Sequence, residues 1–264
     1  PYLILKAVRA AGFGADCISG AEITLALESG FTPEDISFAG VGKSDKGILT
    51  ALKAGVSVIN VESVQELLVI EHIAKKYSLK ANIGIRVNPN VDTHTLRYIT
   101  SGMQANKFGI TETDFPRVIE ILRRSDSLVF KGIHCHAGSQ MDMRSQAYRR
   151  VCRKVASFCT FFEEAGLKVE VINLGGGLAV NYEDPSEMPD FEGWMDSIRE
   201  IFSESGARII TEPGRSLVAG CGTLYSRVLY IKENDLKTFL VIDAGMNNLL
   251  RPALYGAYHK IENL

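Results

Sequence analysis

Seven short β-branched runs punctuate this chain between residues 15 and 211. Each is followed by a polar or Gly-rich turn and then by a stretch of helical spacing. The runs fall at 15–19, 36–39, 56–61, 82–87, 130–136, 169–174 and 208–211. The stretch 64–77 carries Leu67, Leu68, Ile70, Ile73 and Ala74 on one approximate helical face. Ser19 with Glu22, and Ser63 with Glu66, have the S-x-x-E form of a capping box at a helix start. Strands alternating with helices demand a parallel sheet with right-handed crossovers. Seven such units are one short of a TIM-type (β/α)8 barrel, which typically takes about 250 residues. The opening segment 1–11 reads as a helix with no strand ahead of it. The expected fold is therefore α/β, a (β/α)8 barrel lacking its first strand in this chain, with the seven runs as its second to eighth strands.

The rhythm stops after Arg215. Segments 217–231 and 238–242 read as strands with a turn at Glu233, Asn234 and Asp235 and no helix between them. They are expected to begin an antiparallel β domain, dividing the chain into 1–216 and 217–264.

Composition excludes several function classes. Lys plus Arg number 29 against 31 Asp plus Glu, a formal charge of −2, so no cationic face for nucleic acid is expected. No apolar run reaches the roughly 18 residues of a membrane helix, and no basic-then-apolar leader opens the chain. The five cysteines (Cys17, Cys135, Cys152, Cys159, Cys221) are odd in number and lack a C-x-x-C pair. That usage fits a reducing, cytoplasmic setting better than a disulfide framework.

In barrels of this kind chemistry sits at the C-terminal strand ends, with phosphate often bound after the seventh and eighth strands. Here those two loops read Gly175-Gly176-Gly177 and Glu212-Pro213-Gly214-Arg215. Adjacent glycines let backbone N–H groups approach an anion closely, although they also serve a plain tight turn. Arg215 can bind phosphate or pair with Glu212. A carboxylate buried at position 212 needs a cation nearby. His134 and His136 are placed on one face of a strand. They can be two zinc ligands short of a third, a ring that stacks on an aromatic cofactor, or core histidines. Ser139 adds a hydroxyl three residues on. Asp16 reads as a barrel-interior acid, and Glu22 as a capping acid. Arg251 and Tyr255 are either an exposed pair or a clamp for a carboxylate.

Taken together, the motifs GADCISGAE (14–22), VINVES (58–63), IRVNPNVD (85–92), NKFGI (106–110), GIHCHAGSQ (132–140), NLGGGL (173–178), TEPGRSLVA (211–219) and DAGMNNLLRPALYGAYH (243–259) resemble the fold-type III pyridoxal-phosphate decarboxylases. HCHAGSQ and RPALYGAYH favour the branch that decarboxylates diaminopimelate to lysine over the ornithine and arginine branches, and a related decarboxylase of the carboxynorspermidine, arginine or ornithine type is the second enzyme reading. The resemblance implies pyridoxal 5'-phosphate as cofactor. It implies that His136 stacks on the pyridoxal ring and that Glu212 pairs with the ring nitrogen. Ser139, Gly175, Gly176, Gly177, Pro213, Gly214 and Arg215 are implied to hold the cofactor, chiefly its phosphate. Arg215, Arg251 and Tyr255 are implied to contact a substrate carboxylate, and Asp16 to lie near the Schiff-base lysine. It further implies a homodimer with a shared active site and a small amino-acid substrate. The Schiff-base lysine is expected before Pro1, because Lys6, Lys43, Lys107 and Lys131 all stand in the wrong places. The 264 residues by themselves are then expected to be inactive. A non-catalytic pyridoxal-phosphate-binding homologue is the alternative of a different class. Asn248 and the pair Leu96-Arg97 depart from the usual residues of the family.

Overall fold

The computed structural model describes residues 2–91, 108–184 and 186–264. Leu96, Arg97, Asn106 and Lys107 lie outside the described residues. Helix α1 (Tyr2–Ala10) comes first, followed by β1 (Ala15–Cys17), α2 (Gly20–Glu28), β2 (Ile36–Phe38), α3 (Asp45–Ala54), β3 (Val58–Val61), α4 (Val64–Lys76) and β4 (Ala81–Arg86). Then come α5 (Phe115–Arg124), β5 (Leu128–His134), α6 (Gln146–Glu164), β6 (Val171–Asn173), α7 (Phe191–Phe202) and β7 (Arg208–Ile210). The seven strands form one parallel sheet in chain order, β1 to β7, with each strand paired to its sequence neighbours. The result is a curled, incomplete α/β barrel whose two edges are β1 and β7, as the βα rhythm predicts.

The helix starts follow the local chemistry. Ser19 Oγ accepts from Glu22 N–H at 3.2 Å, and Glu22 Oε2 accepts from Ile18 N–H at 2.7 Å. Ser63 and Glu66 repeat the arrangement, with Glu66 Oε2 accepting from Glu62 N–H at 2.6 Å. Two orphan donors are satisfied reciprocally at each start. Helix α3 ends on Gly55 at φ 70, the left-handed conformation that glycine adopts without Cβ strain. In α6 the buried positions Tyr148, Val151, Cys152, Val155, Phe158, Cys159 and Phe162 recur at helical spacing. Phe162 stacks on Phe130 of β5 at 5.4 Å, and Phe158 meets Phe115 of α5 edge-on at 5.1 Å.

Trp194 of α7 is fully buried and donates from Nε1 to Tyr148 Oη at 2.8 Å. Trp194→Phe removes the N–H from which Tyr148 Oη accepts and leaves a small void. Its urea midpoint should drop by the equivalent of about 1–3 kcal/mol. A shift below a few tenths would mean that the pair adds nothing.

Beyond β7 the structure departs from expectation. Segment 217–231 is not one strand. Arg215–Val218 forms a single helical turn, α8, and Gly220 and Gly222 follow. The strand β8 (Val228–Glu233) begins only where branched and aromatic residues cluster. It pairs antiparallel with β9 (Thr238–Ile242). Glu233 still belongs to β8, and the turn sits one residue later, where Asn234 Oδ1 accepts from the N–H groups of Leu236 and Lys237. A last short helix, α9 (Arg251–Tyr255), has Pro252 in its first turn, where a missing N–H costs nothing.

Candidate active site

The register of the parallel sheet sets the site. Arg86 of β4 is level with His134 of β5, and His134 is level with Asn173 of β6. Residues level with one another on adjacent strands share a face. Asn173 is level with Ile210 of β7, and Glu212 lies two residues beyond Ile210, so it returns to that face. Glu62, one residue past β3, reaches the same row, because Arg86 Nη1 donates to Glu62 Oε1. Glu62 Oε2 accepts from Gly109 N–H at 3.0 Å.

Glu212 ends this row. Its Oε1 accepts from Asn173 Nδ2 at 2.8 Å and lies 3.3 Å from His134 Nε2. The His134 contact has ion-pair distance but not hydrogen-bond geometry, and His134 Nδ1 is buried with no hydrogen-bond partner among the described residues. Burial alone would raise the Glu212 carboxyl. The His134 and His136 rings and the Asn173 amide outweigh it and lower Glu212 to about 2, so it is ionised. Glu212 Oε2 has no hydrogen-bond partner among the described residues.

Asp16 shows the opposite shift. Burial and the Glu212 charge push its carboxyl up to about 8, against the pull of Ser37 and Arg86. Ser37 Oγ donates to Asp16 Oδ1 at 2.5 Å. Asp16 stands on the edge strand β1 with its surface exposed, and water there screens part of the shift. The direction is a proton held on Asp16 while Glu212 keeps its charge, the usual outcome for neighbouring carboxylates.

His136 lies just past the end of β5 rather than within it, because the ladder with β6 ends at the His134–Asn173 pair. Its Nδ1 accepts from Gly176 N–H at 3.0 Å, which places the ring proton on Nε2. Burial, with Arg86 and His134 nearby, lowers its pKa to about 4 despite Glu212. The ring is therefore neutral at pH 7. In the unfolded chain His136 takes up a proton near its ordinary value of about 6.5, whereas in the folded chain it resists until about 4. This residue's contribution to stability is therefore present above pH 6.5 and falls by at most about 1.4 kcal/mol per pH unit towards pH 4. His136→Leu should flatten that part of a stability–pH curve, and an unchanged slope would refute the assignment.

The three glycines cross from β6 to its neighbours. A Cβ at Gly176 would collide with Glu212 O, and one at Gly177 with Gly138 O. Gly175 and Gly176 spend their N–H groups inside the protein, on Asn173 Oδ1 and His136 Nδ1. Among the described residues, the N–H groups of Gly177, Gly214 and Arg215 have no acceptor and the buried Ser216 Oγ has no hydrogen-bond partner. Ser139 is half-buried at the same rim. Gln140, beside it, grips Val180 through both ends of its amide, each contact 3.0 Å long. Pyridoxal phosphate fits this set. Unused amides and hydroxyls can meet an anion, an open carboxylate oxygen can meet a protonated ring nitrogen, and a neutral imidazole can lie against a ring.

Arg215, Arg251 and Tyr255 lie close together. They line one cavity of about 440 Å³ with Gln140, Val180, Asn181, Tyr182, Glu183 and the segment 256–258. Arg251 and Tyr255 stand one turn apart on α9.

Lys6, Lys43 and Lys131 are all occupied or misplaced. Lys43 Nζ is wholly buried and donates to Gly40 O, Asn60 O and Glu66 Oε1 at 2.8, 2.6 and 2.7 Å. Lys131 stands in the middle of β5 rather than at its start and pairs with Glu170, and Lys6 lies on α1. His72 is exposed on α4. Four thiols, Cys17, Cys135, Cys152 and Cys159, are buried and pushed by burial to about 12, so they stay protonated. Sequence reasoning did not single out Glu62, Arg86 or Asn173. Their signal was a polar residue closing an otherwise apolar run.

The sequence pattern of the family described as "Pyridoxal-dependent decarboxylase, pyridoxal binding domain" matches residues 2–219. The chain belongs to that family of pyridoxal-dependent decarboxylases, and residues 2–219 are its pyridoxal-binding domain. Within the family it is similar to proteins named diaminopimelate decarboxylase. It is 40% identical to that of Aquifex aeolicus over 99% of this chain and 62% of the relative. It is 41% identical to that of Bacteroides thetaiotaomicron over 99% of this chain and 68% of the relative. Among solved structures, a point mutant of the diaminopimelate decarboxylase of Helicobacter pylori complexed with L-lysine superposes with a TM-score of 0.92. It is 39% identical, with 98% of this chain and 65% of that chain covered. The chain thus spans about two thirds of the length of the relatives it matches.

Proposed function

We propose that the protein to which these residues belong decarboxylates meso-2,6-diaminopimelate to L-lysine and CO2. The observation that carries the reading is the pairing of two features in one barrel mouth. One is a charged Glu212 with a free oxygen beside the glycine loop. The other is a cavity lined by two arginines and a tyrosine. Bound pyridoxal phosphate supplies an electron-accepting ring for the loss of CO2. The protein's residues do the rest. Glu212 Oε2 holds a proton on the ring nitrogen, and His136 supports the ring face. Gly177, Gly214, Arg215 and Ser139 bind the phosphate. Asp16 faces the cofactor-bearing lysine in its protonated form. Arg215, Arg251 and Tyr255 bind the carboxylate that stays on the product. Relatives of this type crystallised with L-lysine support that assignment.

The same reading takes residues 1–216 as the barrel and 217–264 as part of a β domain. It places the protein in the cytoplasm as a homodimer with a shared site. Diaminopimelate, ornithine, arginine and carboxynorspermidine should be assayed side by side for CO2 release by the full-length protein. Diaminopimelate should exceed the others in kcat/KM by at least about a hundredfold, the range in which a charged pocket discriminates. Faster turnover of any other substrate would reject the assignment. Uptake of cofactor with no turnover of any of the four would instead favour a non-catalytic homologue.

A further inference from the structure

Arg251 has two neighbours that bear on how it stands in its cavity. Its Nη1 lies 3.2 Å from His259 Nε2, and its guanidinium carbon lies 4.7 Å from the centre of the Tyr182 ring. The two rings meet edge to face, with centroids 5.0 Å apart at 67°. Guanidinium carries only donors, so Arg251 donates and His259 Nε2 accepts. The imidazole is then neutral, with its proton on Nδ1. Burial and the Arg251 charge both lower the His259 pKa, which keeps that acceptor available at neutral pH. The contact uses one of the five N–H groups of Arg251 and leaves four for a ligand.

Tyr182 comes from the loop after β6 and His259 from the segment after α9. Arg251 is therefore held from the barrel and from the C-terminal segment at once. A free arginine side chain has many rotamers, and each one lost on binding weakens the ligand. We propose that Tyr182 and His259 are positioning residues. They lock Arg251 facing the cavity, so that it grips the carboxylate remote from the reacting carbon and selects substrates that carry one. The proposal rests on reading Arg251 as a carboxylate-binding residue.

The test uses the full-length holoenzyme and four variants: His259→Ala, His259→Gln, Tyr182→Leu and Tyr182→Phe. The readouts are kcat and KM for diaminopimelate, and calorimetric Kd values for lysine and for cadaverine, the same chain without its carboxylate. His259→Ala and Tyr182→Leu should raise KM and the lysine Kd by about five- to tenfold, the scale of one cation–π or hydrogen-bond contact. Their kcat should hold within about twofold and their cadaverine Kd should not move. His259→Gln keeps an acceptor and Tyr182→Phe keeps a ring face, so each should lose less lysine affinity than His259→Ala or Tyr182→Leu. Equal weakening of lysine and cadaverine, a fall in kcat alongside KM, or no change in any readout would overturn the proposal. A wild-type protein that binds lysine no more tightly than cadaverine would instead refute the carboxylate role of Arg251, and the positioning role with it.

Discussion

Glu212→Gln should lower kcat for diaminopimelate by about 10²–10³-fold, the loss typical of one preorganised electrostatic contact. The substitution is close to isosteric. The amide oxygen of the introduced side chain can still accept from Asn173 Nδ2, so the row of residues from Glu62 to Glu212 should keep its shape. What changes is the charge. The surroundings lower the native carboxylate to about 2 and hence keep it ionised, because His134, His136 and Asn173 together outweigh the burial penalty. Glutamine offers either a neutral oxygen or an N–H at the open position, and neither holds a proton on a ring nitrogen. Asp16 provides a second signature. The Glu212 charge is one cause of its raised pKa, so Asp16 should titrate lower in the variant. Steady-state kinetics and a pH profile on the full-length protein would check both. A kcat within about threefold of wild type would sink the assignment of Glu212.

Lys43→Met should destabilise the protein by about 3–5 kcal/mol, the usual cost of breaking a buried pair from one side. Lys43 Nζ ties three separate segments together. They are the loop after β2 through Gly40 O, the end of β3 through Asn60 O, and the start of α4 through Glu66. Methionine fills much of the volume but supplies none of the three donors. Glu66 would be left buried without its cation. Burial already raises its pKa against the pull of Lys43, and loss of that pull would raise it further. Glu66 also accepts from Glu62 N–H at the start of α4, so a displaced Glu66 side chain would cost that contact as well. A urea-unfolding series that includes Lys43→Met with Glu66→Gln would show the coupling. The double variant should recover part of the loss. A single-variant loss under about 1 kcal/mol would mean that the three contacts are replaced by water.

Much of this molecule is legible in the order of its residues. Strand and helix boundaries in the barrel follow from local chemistry. Branched residues favour extended backbone, serines with a glutamate three positions on start helices, and apolar residues repeat at helical spacing. The expected strand positions agree with β1 to β7 to within a few residues, and counting them led to an incomplete barrel. Local signals were weakest after Arg215. There, isolated branched residues in 217–227 looked like strand, while one helical turn and two glycines took their place. A two-stranded ribbon draws little on packing, so single residues decide its limits less firmly.

The site divides along the same line. The glycine loop, Glu212, Arg215 and His136 were visible because each is an unusual residue for its place in the chain. No sequence spacing shows that Arg86, His134, Asn173 and Glu212 share one face, because their separation along the chain exceeds any local period. Strand register alone brings them level and puts His134 against Glu212. The charge states follow from that adjacency and from burial. Two carboxylates that look alike in sequence, Asp16 and Glu212, are pushed in opposite directions by their neighbours. Sequence by itself determined which elements form and which residue types reach the strand ends, since those depend on neighbours within a few positions. Tertiary structure alone decided which of those groups meet, and therefore which one holds the proton. Electrostatic interaction depends on distance through space and on the exclusion of water, and the closed side of a barrel supplies both.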